Sequence, residues 1–567
     1  MIGLLLNWRN WKISDKIDTM ELVEQIKQAV EFTRRKEFKK AEKIYLELLK
    51  ISPENTSVLS FLGLLYYNLG NYKKAEKYLE KSYKLTPSKT IVSYIGMSKF
   101  VLTKYISAIF YLKKALAENK SYDLYRALTM SLFYCKNYQE SYNYALEASK
   151  QFPTDEMFLY NLGYSSLQIG LFKESEQYCK KLLLLNPKFS LAWFLNGLQA
   201  ETLYGDEKLA RKSYRLMVKN GNKAGGYLNL AISYSKDVKS RKKTYYYLKK
   251  IEKIMPEKKG LRFLFASYYL SARQFKRGYR YYVNVDNDSQ DDIDWYFQFK
   301  RPWKGGSFKD EIIFVYGDQG IGDQIQFSRY LPFLEKKFKK VKVMVAEPLC
   351  SLFKRSFSKY KKIEFYPNDK EFKFPRYDKS VMLASCIYYL NKGFRKIPFT
   401  DNYMIPDKNK IEEYKTKYFN TQNKKIGICW EAGATNLREQ IHRTLNVELF
   451  ENIINLDKTS VYSFQVNPSL DNYKKYSNLI DLGSTFKNFD DTAAALKNLD
   501  LLITVDTSVA HLAGALGVKT FLILPYCPDW RWFDNDKTTE WYDSVTIFKQ
   551  VNHDDWSEVF NNILSQL

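Results

Sequence analysis

Two short segments hold the residue types from which group-transfer chemistry can be assembled. The first is Gly317-Asp318-Gln319-Gly320-Ile321-Gly322-Asp323-Gln324, which follows the apolar run Glu311–Tyr316 and opens a helical pattern. Glycines at such a junction permit a tight turn and let a ligand approach the backbone. The segment is neither a G-x-G-x-x-G loop nor a P-loop, because no G-K-[ST] closes it. Asp323 stands at the helix start and admits two readings: a helix cap worth about 1 kcal/mol, or a general base aimed into a cleft. The second segment runs from Val505 to Gly517, VDTSVAHLAGALG. Here the run Leu501–Val505 gives way at Asp506 to a small-residue helix starting at Thr507–Ser508. Free N–H groups and the helix dipole make that junction a natural seat for a pyrophosphate. The alternative is structural, with Asp506, Thr507 and Ser508 as caps and His511 as a buried core histidine.

Such loops need rigid strands behind them, and from residue 311 the pattern supplies these. Glu311–Tyr316, Val341–Val345, Lys425–Trp430, Val461–Gln465, Leu501–Val505 and Thr520–Leu524 are short β-branched runs alternating with helical segments. They predict buried parallel strands in two Rossmann-like lobes, 311–415 and 416–567, with ligands at the carboxyl ends of the strands. No D-x-D stands at a strand end, and the six cysteines form no C-x-x-C pair, so neither a metal nor a disulfide framework is expected.

The first half has a different period. Ala41, Ala75, Ala108, Ser141, Ser175, Ala210 and Thr244 recur at about 34 residues. Pro53, Pro87, Pro153, Pro187 and Pro256 follow twelve residues after such positions, where each stops a helix. Gly63, Gly96, Gly163 and Gly197 precede them and mark close helix approach. Leu62-Gly63-Leu64-Leu65-Tyr66 matches the tetratricopeptide L-G-x-x-Y element, and Trp193 its tryptophan position. The period predicts an α-solenoid of about seven helix pairs over 20–285, stacked around a concave surface suited to a polypeptide. Phe275–Tyr282 reads as a degenerate capping repeat. Residues 1–19 read as an extension before Met20, and the acidic stretch within 286–310 as a linker.

Composition bounds the partners. The net charge of +26 is concentrated in residues 1–300, which hold 51 basic against 30 acidic residues, whereas 301–567 hold 38 against 33. The lysines are dispersed rather than clustered, which favours solvated helix faces over nucleic-acid binding, for which no recognised motif is present. No apolar run reaches the ~18 residues needed to span a bilayer, so a soluble, cytoplasmic chain is expected.

VDTSVAHLAGALG together with LPYCPDWRWF resembles the C-terminal signature of the heptosyltransferase-related glycosyltransferase family 9, in its tetratricopeptide-fused bacterial branch. YGDQGIGDQIQFSRYLPFL is similar to the same family's N-lobe glycine loop, and the resemblance runs from about residue 275 to the C-terminus. It implies a GT-B fold, with the acceptor largely in the N-lobe, a nucleotide-sugar donor in the C-lobe, and inversion at the anomeric carbon without a metal or other cofactor. Carried over, Asp323 matches the proposed base, and Gly317, Gly320, Gly322 and Gln324 belong to its loop. Asp506, Thr507, Ser508 and His511 match the donor signature, and Arg443 a basic position that neutralises the diphosphate. Trp430 and Gln465 match strand ends facing the nucleotide, and Asp529, Trp530 and Arg531 the loop closing over the donor. The chain departs from the family at Glu431–Ile441, where EAGATNLREQI replaces a glycine-asparagine-proline loop and places Glu431 and Glu439 near the expected anion. The resulting expectation is a transferase whose solenoid presents a protein or glycan acceptor; the alternative is a non-catalytic tetratricopeptide scaffold with a degenerate transferase domain.

Overall fold

A computed structural model describes residues 20–256, 260–283, 302–317, 320–369, 372–390, 397–433, 443–468, 471–526, 528–532, 537–552 and 555–567. The chain forms two compact units: residues up to Tyr204 with Lys219–Gly221, and Gly205–Val218 with Asn222–Leu567. The division therefore lies inside the 34-residue period. The extension 1–19, the acidic linker residues Asp286 to Asp294, and the boundary expected at 285/286 lie outside the described residues.

In the first unit, antiparallel helices alternate from Met20–Arg34 and Phe38–Ile51 through Glu156–Gln168 and Phe172–Leu185 to Ser190–Leu203. Each second helix ends two residues before the proline predicted to stop it, where such a proline exists: Ile51 before Pro53, Leu85 before Pro87, Gln151 before Pro153 and Leu185 before Pro187. Several first helices and second helices start on a side-chain cap. Asn55 accepts from the Val58 N–H at 3.1 Å, and Asp155 from that of Phe158 at 2.9 Å. The periodic small residues Ala41, Ala75, Ala108, Ser141 and Ser175 are fully buried, because the paired helices touch there. Gly63 shows how tight the contact is: a Cβ on it would lie 2.6 Å from Leu79 Cγ.

One repeat interface holds charge. Lys99 and Glu76 are both buried; Lys99 Nζ donates to Glu76 Oε1 at 2.7 Å and lies 2.9 Å from Glu80 Oε1. Lys104 Nζ reaches Glu76 Oε2 at 2.7 Å. Each buried charge thus faces an opposite one, as burial requires.

The second unit opens with helix Glu207–Lys219, whose last residue belongs to the first unit, and helices Lys223–Ser235, Arg241–Ile254, Leu261–Ser271 and Phe275–Tyr282, the last being the segment expected to cap the array. Parallel β-sheets follow. Strands β1 (Phe308–Tyr316), β2 (Phe338–Ala346), β3 (Ile363–Asn368) and β4 (Lys379–Met382) form a sheet of order β3-β2-β1-β4. Strands β5 (Lys424–Cys429), β6 (Thr459–Ser463), β7 (Leu479–Asp481), β8 (Leu501–Val505), β9 (Thr520–Leu524) and β10 (Val545–Lys549) form a second, of order β10-β9-β8-β5-β6-β7. The divide expected at 415/416 falls inside helix Lys408–Tyr418, and the second sheet begins only at Lys424.

The central strands are buried on both faces, which their continuous apolar runs anticipate. All five residues of β8 and of β9 are buried. In the six-stranded sheet the strand order reverses where β5 lies beside β8, with Cys429 opposite Thr504. Crevices at such reversals, beyond the carboxyl ends of the strands, are where open parallel sheets hold ligands.

Candidate functional site

The glycine segment after β1 is shaped by what it must avoid. Gly320 is the N-cap position of helix Ile321–Ser328, and a Cβ there would lie 2.6 Å from Asp323 Oδ2. A Cβ on Gly322 would lie 2.6 Å from His511 Cδ2. The first glycine makes room for the candidate base, the second for the histidine of the other segment. Gln324 serves the strands instead: its Oε1 accepts from the Ala346 N–H at 2.8 Å, at the end of β2. Asp318 and Gln319 lie outside the described residues.

The second segment folds as its residue types require. Thr507 is the N-cap of helix Ser508–Leu516, its Oγ1 accepting from the Ala510 N–H at 3.3 Å and lying 3.2 Å from Thr504 Oγ1. The first N–H groups of a helix have no partner within it, and Ser508 and Val509, which carry them, line the cleft. Arg443 donates to the Asp506 carbonyl through Nε at 3.2 Å and through a terminal nitrogen at 2.6 Å; Nε also lies 3.5 Å from the Asp506 carboxylate. The basic position after β5 and the acid after β8 are thereby held together.

Both segments open into one cleft of about 490 Å³. Gly320, Gly322 and Asp323 contribute one side, and Arg443, Gln465, Asp506, Thr507, Ser508 and His511 the other. Asp529 and Arg531, from the loop after β9, complete it. Arg531 Nε donates to Asp323 Oδ1 at 2.7 Å, and its Nη1 donates to Asp529 Oδ1 at 2.8 Å. Asp323 lies in the first helical turn, and its carboxylate turns to Arg531, not to a backbone N–H. The capping reading therefore does not describe it.

Burial shifts two of the titratable groups that line the cleft, Asp323 and His511. It pushes the Asp323 carboxyl above the ordinary aspartate range, against the pull of Arg531. His511 is 4% exposed, and burial lowers its pKa to about 3, helped by Arg531, Arg443 and Arg329. The ring is therefore neutral at pH 7. Its Nδ1 shares a hydrogen bond of 3.0 Å with Tyr542 Oη, and it stacks on Trp532 with centroids 5.0 Å apart. Thus His511 is buried, as the structural reading has it, and also lines the cleft.

Four of the expected site residues stand elsewhere. Trp430 is buried in the core on the opposite face of the second sheet with Ile426, Ile428 and Val461, because alternation along β5 sends its neighbours Cys429 and Glu431 to the cleft. Trp530 packs edge-on against Tyr279 and Tyr282, at 6.2 and 5.7 Å, so it anchors the last repeat helix. Gly317 and Gln324 do not line the cleft and pack on each other, a Cβ on Gly317 falling 2.7 Å from Gln324 Cδ. Of the divergent loop, Glu431 is buried at the cleft, its N–H donating to Gln465 Oε1 at 2.9 Å. Glu439 lies outside the described residues.

Two further features of the cleft and its frame have no local signal in the sequence. The cleft wall includes Phe464, Phe486, Lys487, Asn488 and Phe489, four of them in the connection after the three-residue strand β7. Asn488 caps helix Phe489–Leu496, its side chain accepting from the Asp490 N–H at 2.9 Å, an ordinary helix start that does not by itself point to a cleft. Arg329 is the other: completely buried, it donates to the carbonyls of Gln326 at 2.7 Å and Trp541 at 2.8 Å, and to Tyr403 Oη at 3.0 Å. An arginine after a glycine loop and before a Tyr-Leu-Pro turn gave only the family likeness as a signal. Among the described residues, no group of three or more His, Cys, Asp or Glu side chains is placed to share a metal ion.

Comparison with known proteins bears on the helical half. Sequence profiles of the tetratricopeptide repeat match residues 57–89 and 158–189. Protein FlbA of Caulobacter vibrioides is 20% identical over 286 residues, 47% of this chain and 48% of FlbA, so the chain spans about half the length of this relative. Among solved structures, a MamA protein is similar over 30% of this chain and 92% of its own, with 23% identity and a TM-score of 0.26. YrrB, described as a TPR protein with an unusual peptide-binding site, is similar over 30% and 88%, with 19% identity and a TM-score of 0.28. The helical repeats of this chain are tetratricopeptide repeats, followed by an α/β region of parallel sheets.

Proposed function

We propose that the chain is an inverting glycosyltransferase of GT-B type that moves a sugar from a nucleotide-sugar donor to a polypeptide or glycan acceptor without a metal ion. The observation that carries this reading is that Asp323 and the Thr507 helix start line one cleft together with Arg443 and Arg531. Inverting transfer needs a base on the acceptor hydroxyl and positive or N–H charge on the departing diphosphate. On this reading Asp323 takes the acceptor proton as the acceptor oxygen bonds to the anomeric carbon. The bond from that carbon to the diphosphate breaks on the opposite face, and its charge falls to Arg443 and the N–H groups of Ser508 and Val509. The raised pKa of Asp323 suits a base better than an ordinary aspartate, because proton affinity then lies nearer the working pH.

A second reading, a non-catalytic tetratricopeptide scaffold, draws on one observation: Arg531 holds Asp323 in an ion pair, which restrains it from accepting a proton. Calorimetry with UDP, GDP, ADP and CDP separates the readings. The transferase reading expects one of the four to bind, and Arg443→Ala to weaken that binding by about 1.5–3 kcal/mol through loss of a charge-assisted contact. Binding of none of them, or of one with unchanged affinity in Arg443→Ala, supports the scaffold reading.

A further inference from the structure

A second concavity lies on the last repeat helix and shares no lining residue with the candidate cleft. It is a groove of about 550 Å³ whose charged lining is wholly basic: Arg273, Lys276, Arg277 and Arg280, beside Phe275 and Tyr388. Among the described residues no acidic side chain lines it. We propose that this groove docks an acidic polypeptide segment.

The helix Phe275–Tyr282 has two faces with separate tasks. Gly278, Tyr279 and Tyr282 are buried, and the tyrosines pack on Trp530 beside Arg531. That anchoring fixes the opposite face, so its cations are presented from a rigid support. Lys276 and Arg277 precede Arg280 by four and three residues, about 5–6 Å along the helix axis at 1.5 Å per residue. Alternate residues of an extended polypeptide lie about 7 Å apart, so carboxylates two residues apart on such a chain meet both ends of the stripe. Arg273 lengthens the stripe and already shows the chemistry, since it pairs with Glu540 at 2.8 Å.

The spread of the charges argues against a single phosphate, which would be gripped by converging, buried donors; all four cations here are exposed. Single-stranded nucleic acid is recognised by stacking on open aromatic faces, whereas Phe275 and Tyr388 are half-buried with their rings against the core. The groove is an attribute of the last repeat and stands whether or not the cleft is catalytic.

The test uses the full-length chain and a fluorescein-labelled decaglutamate peptide, read by anisotropy at low salt. The variant K276E/R277E/R280E is compared with K180E/K181E/K188E, which makes the same change in net charge at exposed lysines of the first unit. The groove variant is expected to weaken binding at least tenfold and the control variant less than twofold. A third variant, K276Q/R277Q/R280Q, guards against misfolding: its circular dichroism should match the parent and its affinity should still fall at least fivefold. Equal losses in groove and control variants would overturn the proposal. So would unlabelled (dT)10 competing better than unlabelled decaglutamate, or 10 mM phosphate displacing the peptide at constant ionic strength.

Discussion

Buried, neutral His511 ties the stability of the second unit to pH in a direction that can be worked out. The folded pKa is lowered to about 3, against an ordinary value of 6.5. Between those values the unfolded chain binds a proton that the folded chain refuses. Stability from this residue is therefore full above pH 6.5 and is lost as pH falls toward 3. From pH 7 to pH 5 the unfolded histidine goes from mostly neutral to almost fully charged, which corresponds to a loss of roughly 2 kcal/mol. The size barely depends on the folded pKa so long as that stays below about 4. Urea unfolding followed by tryptophan fluorescence is the assay, since Trp532 stacks on the His511 ring and Trp303, Trp430, Trp530, Trp541 and Trp556 belong to the same unit. His511→Gln removes the titration and keeps a polar group. The parent should lose roughly 2 kcal/mol more than the variant between pH 7 and pH 5. Equal losses would refute a neutral, buried His511.

Two further substitutions probe the frame of the cleft. A Cβ on Gly483 would lie 1.8 Å from the carbonyl oxygen of Gln465; backbone cannot yield as a side chain can, so Gly483→Ala should destabilise by roughly 3 kcal/mol, read as a lower urea midpoint. Arg329→Met keeps volume but leaves the Gln326 and Trp541 carbonyls unpaired in the core, and should cost about 2–4 kcal/mol in the same assay.

The helical half was legible because its signals recur: a buried small residue in every repeat, with a stopping proline in five of the seven and a close-approach glycine in four, locates the helix ends to within a residue or two. Strands β1, β2, β5, β6, β8 and β9 were legible as continuous apolar runs. Strands β3, β4, β7 and β10 were not. LID and KSVM are too short to carry a pattern, and Ile363–Asn368 contains Pro367, which argues against a strand from sequence alone. Site residues at helix starts, Asp323, Thr507 and Ser508, were placed by local rules that sequence spacing expresses. Trp430 was misplaced because a strand-end residue faces one of two sides, and only the register of β5 decides which. The Asp323–Arg531 pair joins positions 208 residues apart, and no local rule reaches across that distance. The same holds for Arg329, whose partners Tyr403 and Trp541 stand 74 and 212 residues away.

The central claim is that Asp323 is the base of a sugar transfer, and the most direct test is the turnover of Asp323→Asn. The amide oxygen can still accept the hydrogen bond from Arg531 Nε, so the fold and the affinity for the nucleoside diphosphate should be retained. It cannot take a proton at neutral pH. With a donor identified by calorimetry and an acceptor in hand, the transfer rate should fall by ~10²–10⁴-fold. Turnover within a few-fold of the parent, at unchanged donor affinity, would contradict the account and leave Asp323 as the ion-pair partner of Arg531.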